Sequence, residues 1–328
     1  MKQGVTAKDV AKLAGVSQST VSRVYFKGAT VSQKTRERVL SAASQLGYRP
    51  NEFARSLITS KTKIIGLVMK GVHNPFYPQV LKQFTTSFKN LGYSILFVYT
   101  NNDEIQKEDV ETLLKYNVAG IIITDATLSL NVTEDFINHE IPLVLFNRKI
   151  PNGGFYSVCC NNVKASKQIA KFLISQGCRD LVYISGDENT STSKEREEGF
   201  TQQLKGTGVN YLKVISDFTY EGGYRAGKEI VKIRKLPDGI FVANDIMALG
   251  LIDALKEEHI EIPKDTKVIG FDNIEMASWP AYNLTTWEQP IQEMVDQTVH
   301  FLIAEIEGTP GMAEKVELDG KLIIRKST

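Results

Sequence analysis

Cysteine is scarce in this chain. Only Cys159, Cys160 and Cys178 occur, two of them adjacent. An odd number with an adjacent pair argues against a disulfide framework and predicts reduced thiols in the core. No apolar run approaches the roughly 18 residues that a bilayer requires. The N-terminus lacks a basic start followed by an apolar core, so no secretory signal is expected and the chain is placed in the cytoplasm. The histidines (His73, His139, His259 and His300) show no metal-ligand spacing. A Gly-rich phosphate loop, a Gly-x-Ser-x-Gly elbow and a paired-carboxylate motif are all absent. These absences speak against an enzyme, and no cofactor is expected.

What is present is a division of charge. Residues 1–60 hold ten Lys/Arg and three Asp/Glu, a net +7, while the whole chain is +1, leaving −6 for the remainder. A basic head on an acidic body suggests that one part meets phosphate and the other does not. The length of 328 residues suits two or three domains.

The basic head reads as a helix-turn-helix. Thr6 is an N-cap with Asp9 three residues on, as in a capping box. Val10, Leu13 and Ala14 form an apolar stripe, and Gly15 can take the positive φ that ends a helix. Ser17 caps a second helix whose inner face carries Val21 and Val24. Gln18, Ser19, Thr20, Ser22 and Arg23 are left on the outer side, short polar groups plus one Arg suited to base edges in a major groove. Thr6 and Thr35 are candidate phosphate contacts. Ser32 caps a third helix whose inner face is Val39, Ala42, Ala43 and Leu46. A short helical stretch near residues 51–58 is too small to be stable alone.

From Lys63 the pattern changes. Ile64–Met69, Ile95–Val98, Val118–Ile123 and Leu143–Phe146 read as buried strands separated by amphipathic helices. The rhythm restarts near residue 160, with strands at Leu181–Ile184, Ile240–Ala243 and Val268–Phe271. Alternation of this kind predicts parallel sheets in two similar lobes with a cleft between them. Ligands in such sheets bind beyond the carboxyl ends of the strands.

Several segments taken together carry a resemblance. They are the Thr6–Val24 run, Leu46-Gly47-Tyr48-Arg49-Pro50-Asn51, Ala54-Arg55-Ser56-Leu57, Asn74-Pro75-Phe76-Tyr77, Arg196 with Gly199-Phe200, Ala243-Asn244-Asp245 and Gly270-Phe271-Asp272-Asn273. Over its whole length the chain resembles the LacI/GalR family of bacterial transcription repressors. The resemblance implies an N-terminal all-α helix-turn-helix DNA-binding domain followed by an α/β two-lobed effector domain like periplasmic binding proteins, with parallel sheets. The expected boundaries are 1–50 for the DNA-binding domain and 51–62 for the hinge helix and linker. Residues 63–328 form the effector and dimerisation domain. Its lobes are 63–160 with part of 290–328, and 161–289 with the C-terminal end.

The same resemblance implies site residues. For DNA they are Thr6, Ser17, Gln18, Ser19, Thr20, Ser22, Arg23 and Thr35, then Asn51, Ala54, Arg55 and Leu57 of the hinge. Leu57 matches a leucine that wedges into the minor groove, which fits the physics of an apolar side chain kinking the duplex. For the effector they are Asn74, Phe76, Tyr77, Asn147, Arg148, Arg196, Phe218, Asn244, Asp272 and Gln289. Asn147 stands where relatives carry an acid. The implied partners are double-stranded operator DNA, a second copy of the chain in a homodimer, and a small effector: a sugar, sugar acid or sugar phosphate, with a purine as rival. Two other classes compete. A solute-binding protein without a transcriptional role is opposed by the helix-turn-helix head, and a doubly wound enzyme by the missing catalytic constellation.

Overall fold

A computed structural model describes residues 5–25, 30–48, 62–70, 73–100, 105–125, 132, 135–136, 138–150, 155–309 and 315–328. It divides into two units, Met1–Thr62 and Lys63–Thr328.

In the first unit, α1 (Ala7–Ala14), α2 (Gln18–Val24) and α3 (Gln33–Leu46) enclose a small core of Val10, Ala11, Ala14, Val21, Val24, Val39, Ala42 and Ala43. Thr6 and Asp9 form the expected capping box, and Gly15 ends α1 at φ 60°. Ser17 and Ser32 cap the next two helices through Thr20 N–H and Thr35 N–H. Side chains this small bring the helices close but bury little area, so polar fasteners matter. Arg36 Nη1 donates to Val24 O (2.8 Å), and Arg38 Nη2 to Ala14 O (2.7 Å). Each guanidinium satisfies a carbonyl left open at a helix C-terminus. Two of the basic residues of the head are therefore structural. Leu13, expected on the inner stripe, is 51% exposed. The inner arc of this two-turn helix is filled by Val10, Ala11 and Ala14, and Leu13 falls beyond its edge.

The second unit holds two sheets. Among the described residues the first runs β11–β5–β4–β3–β1–β2 and the second β12–β10–β9–β8–β6–β7. In the first, β1 is Ile64–Met69, β2 Ser94–Tyr99, β3 Gly120–Ile123, β4 Leu143–Phe146, β5 Tyr156–Cys160 and β11 Lys315–Leu318. In the second, β6 is Asp180–Ser185, β7 Asn210–Ile215, β8 Gly239–Val242, β9 Lys267–Asp272, β10 Thr285–Glu288 and β12 Lys321–Ile323. Every pairing is parallel except β10 with β12. Both sheets reverse strand order at their first strand, with β1 between β2 and β3 and β6 between β7 and β8. Such a switch point opens a crevice at the carboxyl ends.

The helices are α4 (Phe76–Asn90), α5 (Lys107–Lys115), α6 (Asn162–Ser175), α7 (Ser191–Leu204), α8 (Tyr220–Ile230), α9 (Asp245–Glu257) and α10 (Ile291–Ile306). The chain passes between the sheets after β5, after β10 and again between β11 and β12. Periodicity predicts no strand at β5, β10, β11 or β12. β11 and β12 are short, half-exposed edge strands, and β10 is rich in threonine. Cys159, Cys160 and Cys178 are free and buried. Among the described residues no helix is long and apolar enough to cross a membrane.

Two glycines let α8 and α9 touch backbone to backbone. A Cβ on Gly223 would lie 2.0 Å from Met247 O, and one on Gly250 2.1 Å from Tyr220 O. Gly250→Ala should therefore force the helices apart and destabilise this unit by about 1–3 kcal/mol, as overpacked cores do. Urea denaturation measures it, and a shift within error of wild type would show that the contact is not tight.

Candidate functional site

In the helical unit, α2 turns Gln18, Ser19 and Arg23 to solvent, with Thr20 and Ser22 half-buried beside them. Ser17 Oγ lies 2.8 Å from both Ser19 Oγ and Thr20 Oγ1, so these hydroxyls form one cluster at the helix start. Thr6 donates to Asp9 Oδ2 (2.6 Å), and Thr35 Oγ1 accepts from Ser32 (2.9 Å). Both candidate phosphate contacts thus also serve as local helix-capping groups. Gln18 keeps its amide exposed, and among the described residues Arg23 bonds only Ser19 O, at 3.4 Å. A polar side chain that the fold does not need is available to a ligand. Asn51, Ala54, Arg55 and Leu57 lie outside the described residues.

In the second unit a cavity of about 790 Å³ opens where the carboxyl ends of the strands meet the starts of four helices. Asn74, Phe76 and Tyr77 come from the loop after β1 and the first turn of α4. Asn147 and Arg148 follow β4, Asp272 ends β9, Phe218 precedes α8, and Asn244 caps α9. Arg196 reaches in from α7. These nine residues all line the one cavity. Gln289 does not; it lines a separate cavity of about 260 Å³ behind Asp272. The cause is its bond to that acid, since Gln289 Nε2 donates to Asp272 Oδ1 at 2.7 Å and is held behind it.

Asp272 is the hub. It is 4% exposed, accepts from Gln289, and faces Asn74 Nδ2 at 3.5 Å across the cleft. Its φ of 121° is a conformation L residues rarely adopt, so tertiary contacts must hold it there. Arg196, 2% exposed, donates Nε to Asn162 Oδ1 (2.9 Å) and Nη1 to Ala243 O (2.5 Å). Its guanidinium lies 3.6 Å over the Phe271 ring. Arg148 donates Nη1 to Asn147 O (3.0 Å) and to Thr192 Oγ1 (3.1 Å), and Nη2 to Asp125 O (3.4 Å). The Thr192 bond joins the two lobes. Lys149 adds a second tie, bonding Glu195 of α7 at 2.6 Å and also Glu317 of β11. Among the described residues no cluster of His, Cys, Asp and Glu is placed to hold a metal.

Comparison with known proteins places the chain in a family. Residues 6–51 match the bacterial regulatory proteins of the lacI family, and residues 170–328 match a periplasmic binding protein-like domain. The ribose operon repressor of Halalkalibacterium halodurans is 31% identical, over 98% of this chain and 97% of its own. The transcriptional regulator DegA of Bacillus subtilis and the repressor PurR of Pasteurella multocida are each 32% identical, over 98% of both chains. The chain belongs to the lacI family. It is a DNA-binding transcription regulator and not an enzyme. Among solved structures, the lac repressor dimer bound to operator and the anti-inducer ONPF superposes with a TM-score of 0.87 at 25% identity, covering 99% of each chain. A complex of the regulator CelR with cellobiose gives 0.74 at 26%, covering 99% of this chain and all of the other.

Residues that the lacI-family motifs did not assign to the site also line the cavity, as Asp125 and Thr192 do, or sit beside its lining, as Asp245 does. Asp125 follows β3 and accepts from Lys70 N–H (2.6 Å) and Thr124 (2.9 Å). An acid two residues beyond the end of a buried strand was the available signal. Thr192 carried none, because its role depends on Arg148 arriving from the other lobe. Asp245 is fully buried beside Asp272 and accepts from Thr286 Oγ1 (2.6 Å) and Ile274 N–H (2.9 Å).

Burial raises both carboxyls, Asp272 to about 6 and Asp245 to about 7, and in Asp245 the nearby Asp272 charge adds to it. Arg196 and the Gln289 hydrogen bond pull Asp272 back only in part. The folded protein therefore holds protons that the unfolded chain releases near 3.8. The stabilisation from these two groups is complete below that value and is lost as pH rises through about 6 to 7. Asp245→Asn preserves an oxygen for Ile274 N–H and can donate to Thr286. It should flatten the fall in melting temperature between about pH 5 and pH 8. An unchanged slope would assign the titration elsewhere.

Proposed function

We propose that this regulator acts in the cytoplasm as a homodimeric repressor. Its two recognition helices read a near-palindromic operator, and a sugar-type effector in the cavity controls it. The observation that carries the effector reading is the convergence of nine residues from separate segments on one cavity around the buried Asp272 carboxylate. Convergent polar groups with a perturbed carboxyl and partly apolar walls fit a ligand site. CelR was solved with cellobiose, and a relative represses a ribose operon, which supports the sugar class. PurR among the relatives keeps a purine as the competing class.

In this proposal residues 1–50 bind the major groove and 51–62 form the hinge, with Asn51, Ala54, Arg55 and Leu57 on the DNA. Residues 63–328 bind effector and form the dimer. Effector bridging the lobes shifts their angle and thereby the operator affinity, a coupling between two sites.

Two measurements test the reading. Gln18→Ala should weaken operator binding by about 1–3 kcal/mol while leaving random-sequence DNA unaffected, read by fluorescence anisotropy. Equal loss on both DNAs would remove Gln18 from base reading. Asp272→Ala should keep unliganded operator binding yet abolish the response to sugar, because it removes charge-assisted hydrogen bonds of roughly 1.5–3 kcal/mol each. A variant that binds sugar as wild type does, by calorimetry, would move the effector out of this cavity.

A further inference from the structure

The polar tie between the lobes continues into the cavity. Lys149 follows β4, and its ammonium bonds Glu317 of β11 in the same lobe. Across the lobes it reaches Glu195 Oε1 of α7 at 2.6 Å. The other oxygen of that carboxylate, Oε2, accepts from Asn162 Nδ2 at 2.9 Å. Asn162 Oδ1 in turn accepts from Arg196 Nε at 2.9 Å. Glu317, Lys149, Glu195, Asn162 and Arg196 thus form one unbroken chain of polar contacts, and its last member lines the cavity.

The chain has a direction, and the direction is forced. An ammonium only donates and a carboxylate only accepts. Glu195 therefore takes donors on both sides, and the Asn162 amide must turn its nitrogen towards it. The amide oxygen is left for Arg196. Asn162 is 1% exposed, so bulk water offers it no other partner. Burial by itself would lower the Lys149 pKa, but the bonds to Glu195 and Glu317 outweigh it and raise that pKa, so the ammonium keeps its charge.

The far end of the chain is a group whose aim matters. A guanidinium is planar and rigid, so fixing two of its nitrogens fixes the third. Asn162 holds Arg196 Nε, Ala243 O holds Nη1, and the guanidinium lies 3.6 Å over the Phe271 ring. Among the described residues Nη2 has no hydrogen bond.

We propose that Glu195, paired with Lys149, is a positioning residue for the effector: by fixing the Asn162 amide it fixes the plane in which Arg196 presents Nη2 to the cavity. The inference rests on the reading of this cavity as the effector site. The first lobe thereby helps to aim an arginine of the second.

Exchanging donors and acceptors along the chain tests it. Glu195→Gln keeps the size of the side chain but replaces one acceptor by a donor. The new amide must offer its oxygen to the Lys149 ammonium, so its nitrogen meets the Asn162 nitrogen. Asn162 then has to flip, which turns a donor onto Arg196 Nε. Adding Asn162→Asp restores acceptors for both neighbours at the net charge of the wild type. Glu317→Gln alters a partner of Lys149 that does not touch Asn162, and serves as the control.

The Arg196 Nε–H signal in NMR of the full chain with isotope-labelled arginine reports the bond without any ligand, and Arg196→Lys assigns it. Glu195→Gln should speed its exchange with solvent by about tenfold or more, as expected when a charged donor loses its acceptor. The double variant should slow it again, and Glu317→Gln should leave it unchanged. Calorimetry with ribose and cellobiose should rank the affinities of these proteins in the same order. A slow signal in Glu195→Gln, or a double variant no better than the single one, would overturn the positioning role and leave Glu195 as a lobe tie alone. So would a sugar that binds Glu195→Gln as tightly as wild type after the signal has moved. Circular dichroism checks the fold of each variant. If the single variant is unfolded, the double variant should fold with a slow signal, and its failure to do so would also overturn the inference. If neither sugar binds the wild type, the sugar reading fails, while the arginine signal still decides the positioning.

Discussion

A carboxylate buried at the end of a strand organises the effector domain. Asp272 sits at 4% exposure in a backbone conformation with φ 121°. Neither condition is tolerable without partners. Gln289 supplies one from the chain's return towards the first lobe, and Asn74 approaches from the loop after β1. Arg196 is held nearby by Asn162, Ala243 and the Phe271 ring. Satisfying one acid therefore recruits residues from both lobes and from the segment that joins them. The Asn74 contact, at 3.5 Å, is the loosest of these and is the one that spans the cleft.

The lobes are tied elsewhere by stronger groups. Arg148 reaches Thr192, and Lys149 sits between Glu195 and Glu317. These ties lie at adjacent positions after β4, so one short segment of the first lobe reaches α7 through two side chains. Arg148 is buried and donates to three protein oxygens, so it is a positioning element: removing any one acceptor would leave another charged donor unsatisfied.

The helical unit achieves order by different means. Its core is made of alanines and valines, too small to stabilise three short helices by burial alone. Capping by Thr6, Ser17 and Ser32 and the arginine fasteners of α3 make up the difference. Much of the polarity of this unit is thus local and structural, and what remains unused on α2, Gln18 and Arg23 above all, is the polar surface that the proposed operator contact draws on.

Local rules made the helix-turn-helix legible in the sequence. A cap, an apolar stripe and a glycine all act within a few residues, so α1 to α3 can be read from order alone. The long buried strands, such as Ile64–Met69 and Leu143–Phe146, were legible because burial on both faces leaves a continuous apolar run. Short edge strands were not, since β11 and β12 are half-exposed and owe their extended form to the neighbour they pair with. The site divides along the same line. Family motifs point to Asn74, Arg196 and Asp272, but Thr192 and Asp245 matter through partners 44 and 41 residues away, Arg148 and Thr286. Gln289 reads as a cavity residue in sequence, and only its bond to Asp272 turns it to the other side. Composition, caps and periodicity depend on neighbours along the chain and so are written in it. Which donors are spent, which acceptors are left open and which carboxyls stay protonated depend on neighbours in space, and those the tertiary structure decides.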